Sequence, residues 1–149
     1  LSDLHQLVQL SLNATDTRDL SALSDMSNLK VLHLSSTLVE DLTPIKSAKN
    51  LKELWISGTC VSDPSIIRQF TGLTFLSMAE TQIRDHAFLA DLPNLKILHI
   101  SGDYISDQNL IKELEERGVS VNSRSKGGPG EKCQRHTGRP QAKVANVRG

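Results

Sequence analysis

The chain has 149 residues, 38% hydrophobic but only 3% aromatic, with 17 Lys+Arg against 17 Asp+Glu. That length suits one domain with or without a tail, and its core must be built from Leu and Ile rather than from rings. No apolar run reaches the ~18 residues a transmembrane helix needs. The zero net charge hides an asymmetry: residues 1–121 hold 10 Lys+Arg against 16 Asp+Glu, a net of −6. Residues 122–149 hold 7 against Glu131 alone, a net of +6, so an acidic body and a basic tail are separate physical objects.

No secretory leader is visible, and the chain starts at Leu1 rather than Met, which leaves an upstream targeting segment open. Cys60 and Cys133 make no disulfide framework and lean towards a reducing, cytoplasmic setting.

Taken in order, the chain divides into repeats. Leu1 and Leu4 fall late in a preceding unit, so the expectation is a segment of a longer protein or an incomplete gene product. Then come LVQLSLNATDTRDLSALSDMSN, LKVLHLSSTLVEDLTPIKSAKN, LKELWISGTCVSDPSIIRQFTG and LTFLSMAETQIRDHAFLADLPN, each of 22 residues with no gaps. LKILHISGDYISDQNLIKELEERG closes the series. Positions one, four and six are apolar in all five units, from Leu7, Leu10 and Leu12 to Leu95, Leu98 and Ile100. Position nine is Thr15, Thr37, Thr59 and Thr81, then Asp103. Position thirteen is always Asp: Asp19, Asp41, Asp63, Asp85 and Asp107.

One such unit cannot bury its leucines alone, whereas stacked units share a continuous core. Positions three to seven read as short strands that pair in parallel. Pro44 and Pro64 predict irregular or 3₁₀ return segments in units two and three. In unit five, Asp107 reads as the N-cap of a helix that Gly118 ends, and residues 119–121 read as a final edge strand. Residues 122–149, with five Gly, two Pro and few large apolar residues, read as a disordered linker.

The L-x-x-L-x-L-x-x-T-x-[IV]-x-D pattern over residues 1–121 resembles the leucine-rich repeat family. The unit length and the phrase DLTPI (41–45) look most like the short bacterial internalin type, and the threonine-rich units also resemble leucine-rich repeat proteins of trypanosomatid parasites. The resemblance implies an α/β solenoid: parallel strands on a concave face, short helical or irregular segments on the convex side. One departure stands out, since the family's asparagine at position nine is Thr here. A hydroxyl there takes over part of the asparagine's bonding to the turn backbone, more weakly.

The same resemblance implies that strand residues between the buried leucines line the concave surface. Val31, Glu53, Phe75 and Ile97 then share position three, and His33, Trp55 and His99 position five. Tyr104 joins them at the rim, as do Cys60 and Leu38. Aromatic residues among polar neighbours on such a surface are the usual anchors of a protein interface; the competing reading is that Trp55 and Phe75 merely cover each other on adjacent strands. Phe70 and Phe88 occupy return positions that pack inwards.

Other constellations carry less. His33 and His99 lie three strand spacings apart, about 14 Å, too far to share a metal ion. The Asp column reads as caps on the return segments, since calcium wants six to eight oxygens and each unit offers one carboxylate. CQRH (133–136) is half of a zinc pattern and has no second pair nearby. KGGPG (126–130) lacks the following helix of a phosphate loop. No catalytic constellation and no cofactor or metal site emerges. The expectation is therefore a non-enzymatic module that binds another protein on its concave face. Two alternatives stand beside it: a regulatory repeat segment of a larger protein, such as a ubiquitin ligase or cyclase regulator, and nucleic-acid or membrane binding by the basic tail.

Overall fold

A computed structural model describes residues 6–101, 107–125 and 133. Six strands form one parallel sheet in chain order: β1 (Gln9–Ser11), β2 (Val31–His33), β3 (Glu53–Trp55), β4 (Phe75–Ser77), β5 (Ile97–Ser101) and β6 (Ser120–Ser125). Between them run 3₁₀ turns at Ser21–Leu23, Thr43–Ile45, Ile67–Gln69 and Ala87–Asp91, and one α-helix, α1 (Gln108–Glu116). The register repeats the sequence period: Leu10 pairs with Leu32, Leu32 with Leu54, Leu54 with Leu76 and Leu76 with Leu98. The sheet is open, and the molecule is a leucine-rich-repeat solenoid.

Positions one, four and six build the core. Leu29, Leu32 and Leu34 in unit two, and Leu51, Leu54 and Ile56 in unit three, are all 0% exposed. Burying each such side chain stabilises the fold by about 1.5–3 kcal/mol. Phe70 and Phe88 pack inwards as their positions imply. In unit one, Leu7, Leu10 and Leu12 are only half-buried.

β1 to β4 are shorter than positions three to seven, but the ladder of backbone bonds outruns them. The Leu12, Leu34 and Ile56 amides donate to the next strand's His33, Trp55 and Ser77 carbonyls. Two residues on, the Ala14, Ser36 and Gly58 amides donate to Ser35, Ser57 and Ala79. The chain then turns sharply: position eight takes a left-handed conformation in each of the first four units, with φ of 57° at Ala14, 60° at Ser36, 70° at Gly58 and 58° at Glu80. Of these four, only unit three uses the residue that adopts this conformation freely.

The next row explains the threonines. The hydroxyls of Thr15, Thr37 and Thr59 each donate, at 2.7 Å, to the carbonyl of position six in their own unit (Leu12, Leu34 and Ile56), and Thr81 does so to Met78 at 3.0 Å. Thr37 and Thr59 are 0% exposed, so the bond satisfies a carbonyl that water cannot reach. The half of the asparagine's work that a hydroxyl can do is done here by donation.

The aspartates cap, as their place after the turn suggests. Asp19, Asp41, Asp63 and Asp85 accept the backbone N–H two residues on, from Ser21, Thr43, Ser65 and Ala87, at 2.8–2.9 Å. Asp107 instead accepts from Leu110 at 3.0 Å, the N-cap geometry of an α-helix. The hydroxyls of Ser21 and Ser65 also donate to their aspartates. Hydrogen bonds from the residue two on, side chain first and backbone second, hold the carboxyls of Asp19, Asp41 and Asp63 below the ordinary carboxylate range.

Helix α1 buries Leu110 and Leu114 and stops at Gly118, whose φ is 92°. The Arg117 guanidinium donates to the Leu92 carbonyl at 2.8 Å and ties the last turn to unit four. The final strand runs to Ser125 rather than ending at residue 121, because its backbone finds partners along β5 as far as Ser101. The linker expected over 122–149 is thus strand for its first four residues.

Candidate functional site on the concave face

Position five changes from unit to unit where positions one, four and six do not, and the concave face takes its character from it. Register places His33 directly beside Trp55, Trp55 beside Ser77, and Ser77 beside His99. Ser77 is too small to fill its slot. Phe75, two residues earlier on the same strand, leans in from the diagonal, and the Trp55 and Phe75 rings stack with centroids 4.3 Å apart and planes 27° from parallel. His33 meets Trp55 edge-on at 5.1 Å, and His99 meets Phe75 edge-on at 5.0 Å and Trp55 at 6.4 Å. Four rings therefore form one array across β2 to β5.

The array has a polar floor. Ser77 lies beneath the rings with only 4% of its surface exposed, and its hydroxyl pairs with that of Ser57 at 2.6 Å. Ser57 Oγ in turn accepts the Ala79 backbone N–H at 3.1 Å. The Trp55 indole N–H points along the face to Glu53 Oε1 at 3.4 Å. Ring stacking and this tether hold Trp55 in one orientation, as a preformed anchor requires.

The sequence-predicted residues come together with one omission. Val31, His33, Glu53, Trp55, Phe75 and His99 are all half-buried, and Ile97 is 39% exposed. In position three, Val31, Glu53, Phe75 and Ile97 run side by side in register. Tyr104 lies outside the described residues. Trp55 and Phe75 do cover each other, and both still keep part of their surface open. The serine pair under the rings escapes a reading of the sequence, because Ser77 gives no sign of burial until the neighbouring rings are placed.

The cysteines require a correction. The sequence suggests Cys60 as a free rim residue and the pair as thiols of a reducing setting. Instead Cys60 is bonded to Cys133 across 73 residues of sequence, and the two are 4% and 1% exposed. The repeat phases Cys60, but nothing phases Cys133, so the pairing is invisible without the fold. Cys133 is the one described residue of 126–149; the rest of that stretch lies outside the described residues.

His86 is a second departure from the rows. It occupies position fourteen, where units one and two place the buried Leu20 and Leu42, and it is itself only 8% exposed. Burial lowers its pKa from the ordinary histidine value; Arg84 adds to the lowering and Asp85 opposes it. Among the described residues, no cluster of His, Cys, Asp or Glu could hold a metal ion, and no helix is long and apolar enough to cross a membrane.

No protein-family model and no curated protein matches the sequence. Solved structures do match. Internalin C2 from Listeria monocytogenes is 30% identical with a TM-score of 0.71, over 80% of this chain and 53% of that one. An internalin, InlF, from the same organism is 24% identical with a TM-score of 0.68, over 81% of this chain and 35% of that one. A leucine-rich repeat protein from Leptospira interrogans is 24% identical with a TM-score of 0.62, over 76% and 30%. The chain thus spans between 30% and 53% of the length of these proteins. In fold it is an internalin-like leucine-rich repeat protein.

Proposed function

We propose that the chain is a non-enzymatic module, without cofactor or metal, that holds a partner protein on its concave face. Val31, His33, Glu53, Trp55, Phe75, Ile97 and His99 form the docking surface, with Tyr104 at its rim. The repeat domain ends with the last strand, and the residues beyond that strand serve as its tail.

The observation that carries this reading is the ring array. Aromatic side chains locked by their neighbours yet partly open to solvent lose little freedom on binding and bury much apolar area. The varied residues lie on a face that the core does not consume. Ile97 adds an exposed aliphatic side chain next to Phe75.

The test is a peptide-display selection against the wild-type protein, with the clones then measured on the Trp55→Ala/Phe75→Ala variant and on Arg68→Ala. Arg68 pairs with Asp91 away from the strands, its side chain 56% exposed. Selected clones should lose the double variant and keep Arg68→Ala, while thermal unfolding of the double variant stays cooperative. Clones that bind the double variant unchanged would overturn the reading. So would a double variant that no longer folds, because the rings would then be structural.

A further inference from the structure

The concave face is almost uncharged, but one of its margins is not. Among positions three, five and seven of the five units, Glu53 is the one Asp, Glu, Lys or Arg, and its carboxylate faces the Trp55 indole. One residue before each strand lies position two, occupied by Val8, Lys30, Lys52, Thr74 and Lys96. These five are stacked by their backbones: the Lys52 amide donates to the Lys30 carbonyl at 2.7 Å, Thr74 to Lys52 at 2.8 Å, and Lys96 to Thr74 at 2.8 Å. Lys30, Lys52 and Lys96 are exposed, and among the described residues their ammonium groups make no ion pair. The ring array therefore has a cationic margin along one edge.

We infer that the occupant of this face is an amphipathic segment of a partner protein whose apolar side rests on Trp55, Phe75 and Ile97 and whose acidic flank meets Lys30, Lys52 and Lys96. The inference rests on the docking surface proposed above and adds the chemistry of the partner. Lys30, Lys52 and Lys96 each stand one residue before the strand that carries Val31, Glu53 or Ile97, so the cationic row runs along one edge of the face. Attraction along that single edge fixes which way round the segment lies.

The probe is a labelled helical peptide with a Leu/Phe stripe and Glu at its polar positions. Its binding is followed by anisotropy and by the fluorescence of Trp55, the only tryptophan. Binding should perturb Trp55, weaken as salt rises, and fall about tenfold in the Lys30→Gln/Lys52→Gln/Lys96→Gln variant, the effect of three exposed pairs at about 0.5 kcal/mol each. An affinity that survives the triple substitution, or no binding at all, overturns the inference. Lysine-dependent binding that persists in Trp55→Ala/Phe75→Ala would separate the two claims: the cationic margin would stand and the ring-centred docking surface would fall.

Discussion

The rows that repeat and the residues that break them behave differently in this solenoid. At positions nine and thirteen, the same side chain makes the same bond in unit after unit: each described Thr donates to position six, each Asp accepts the N–H that opens the return. Position five runs Ser, His, Trp, Ser, His, and its members interact with one another instead of with their own turns. Cys60 and His86 stand at positions ten and fourteen, which vary from unit to unit. Regular rows carry the scaffold, in small equal increments. The exceptions carry whatever is particular to this chain, and each acts over a longer range than a row member.

The largest effect expected from breaking an exception is at Cys60. A cross-link closing 73 residues restricts the unfolded chain by about 4 kcal/mol on loop-entropy grounds. Cys60→Ser, or a thiol reductant added to the wild type, should therefore lower the thermal midpoint by many degrees, and reductant should do nothing further to the Cys60→Ser protein. Such a bond persists in oxidising surroundings, the opposite of what two unphased cysteines suggest. If reductant leaves the wild-type midpoint unmoved, Cys60 is no more than another member of position ten.

That misreading marks where sequence stops informing. Everything governed by the period is legible: the buried leucines, the parallel register, the inward Phe70 and Phe88, the capping aspartates and the outward Trp55. The left-handed turn at position eight leaves a faint trace, since Gly58 alone of the four described residues shows it by identity. What depends on two side chains meeting across strands is not legible. Ser77 is buried although its repeat position faces outwards, and Cys133 finds Cys60 through a path that no repeat encodes.

A regular row should respond in proportion to its depth. Thr59→Val keeps the side chain's shape but leaves the buried Ile56 carbonyl without its donor, at a cost of about 1–2 kcal/mol in urea unfolding. Thr15→Val, where the hydroxyl is exposed and water replaces it, should cost only a few tenths. Equal losses at the two sites would mean that the hydroxyl serves the turn's shape rather than the satisfaction of a buried carbonyl.

The smallest effect is the one tied most closely to solution conditions, and it sets His86 against the aspartate row. A histidine whose folded pKa lies below its unfolded value binds fewer protons when folded, so the stability it permits is present above about 6.5 and declines as pH falls through that value. The capped carboxyls are also lowered, but from 3.8, so their contribution declines only in stronger acid. Thermal midpoints between neutral pH and about pH 5 thus isolate the histidine. His86→Leu restores the residue that units one and two carry at this position and should flatten the curve across that interval, leaving the later acid decline in place. A slope that persists unchanged in His86→Leu would show that the burial of His86 is not its source.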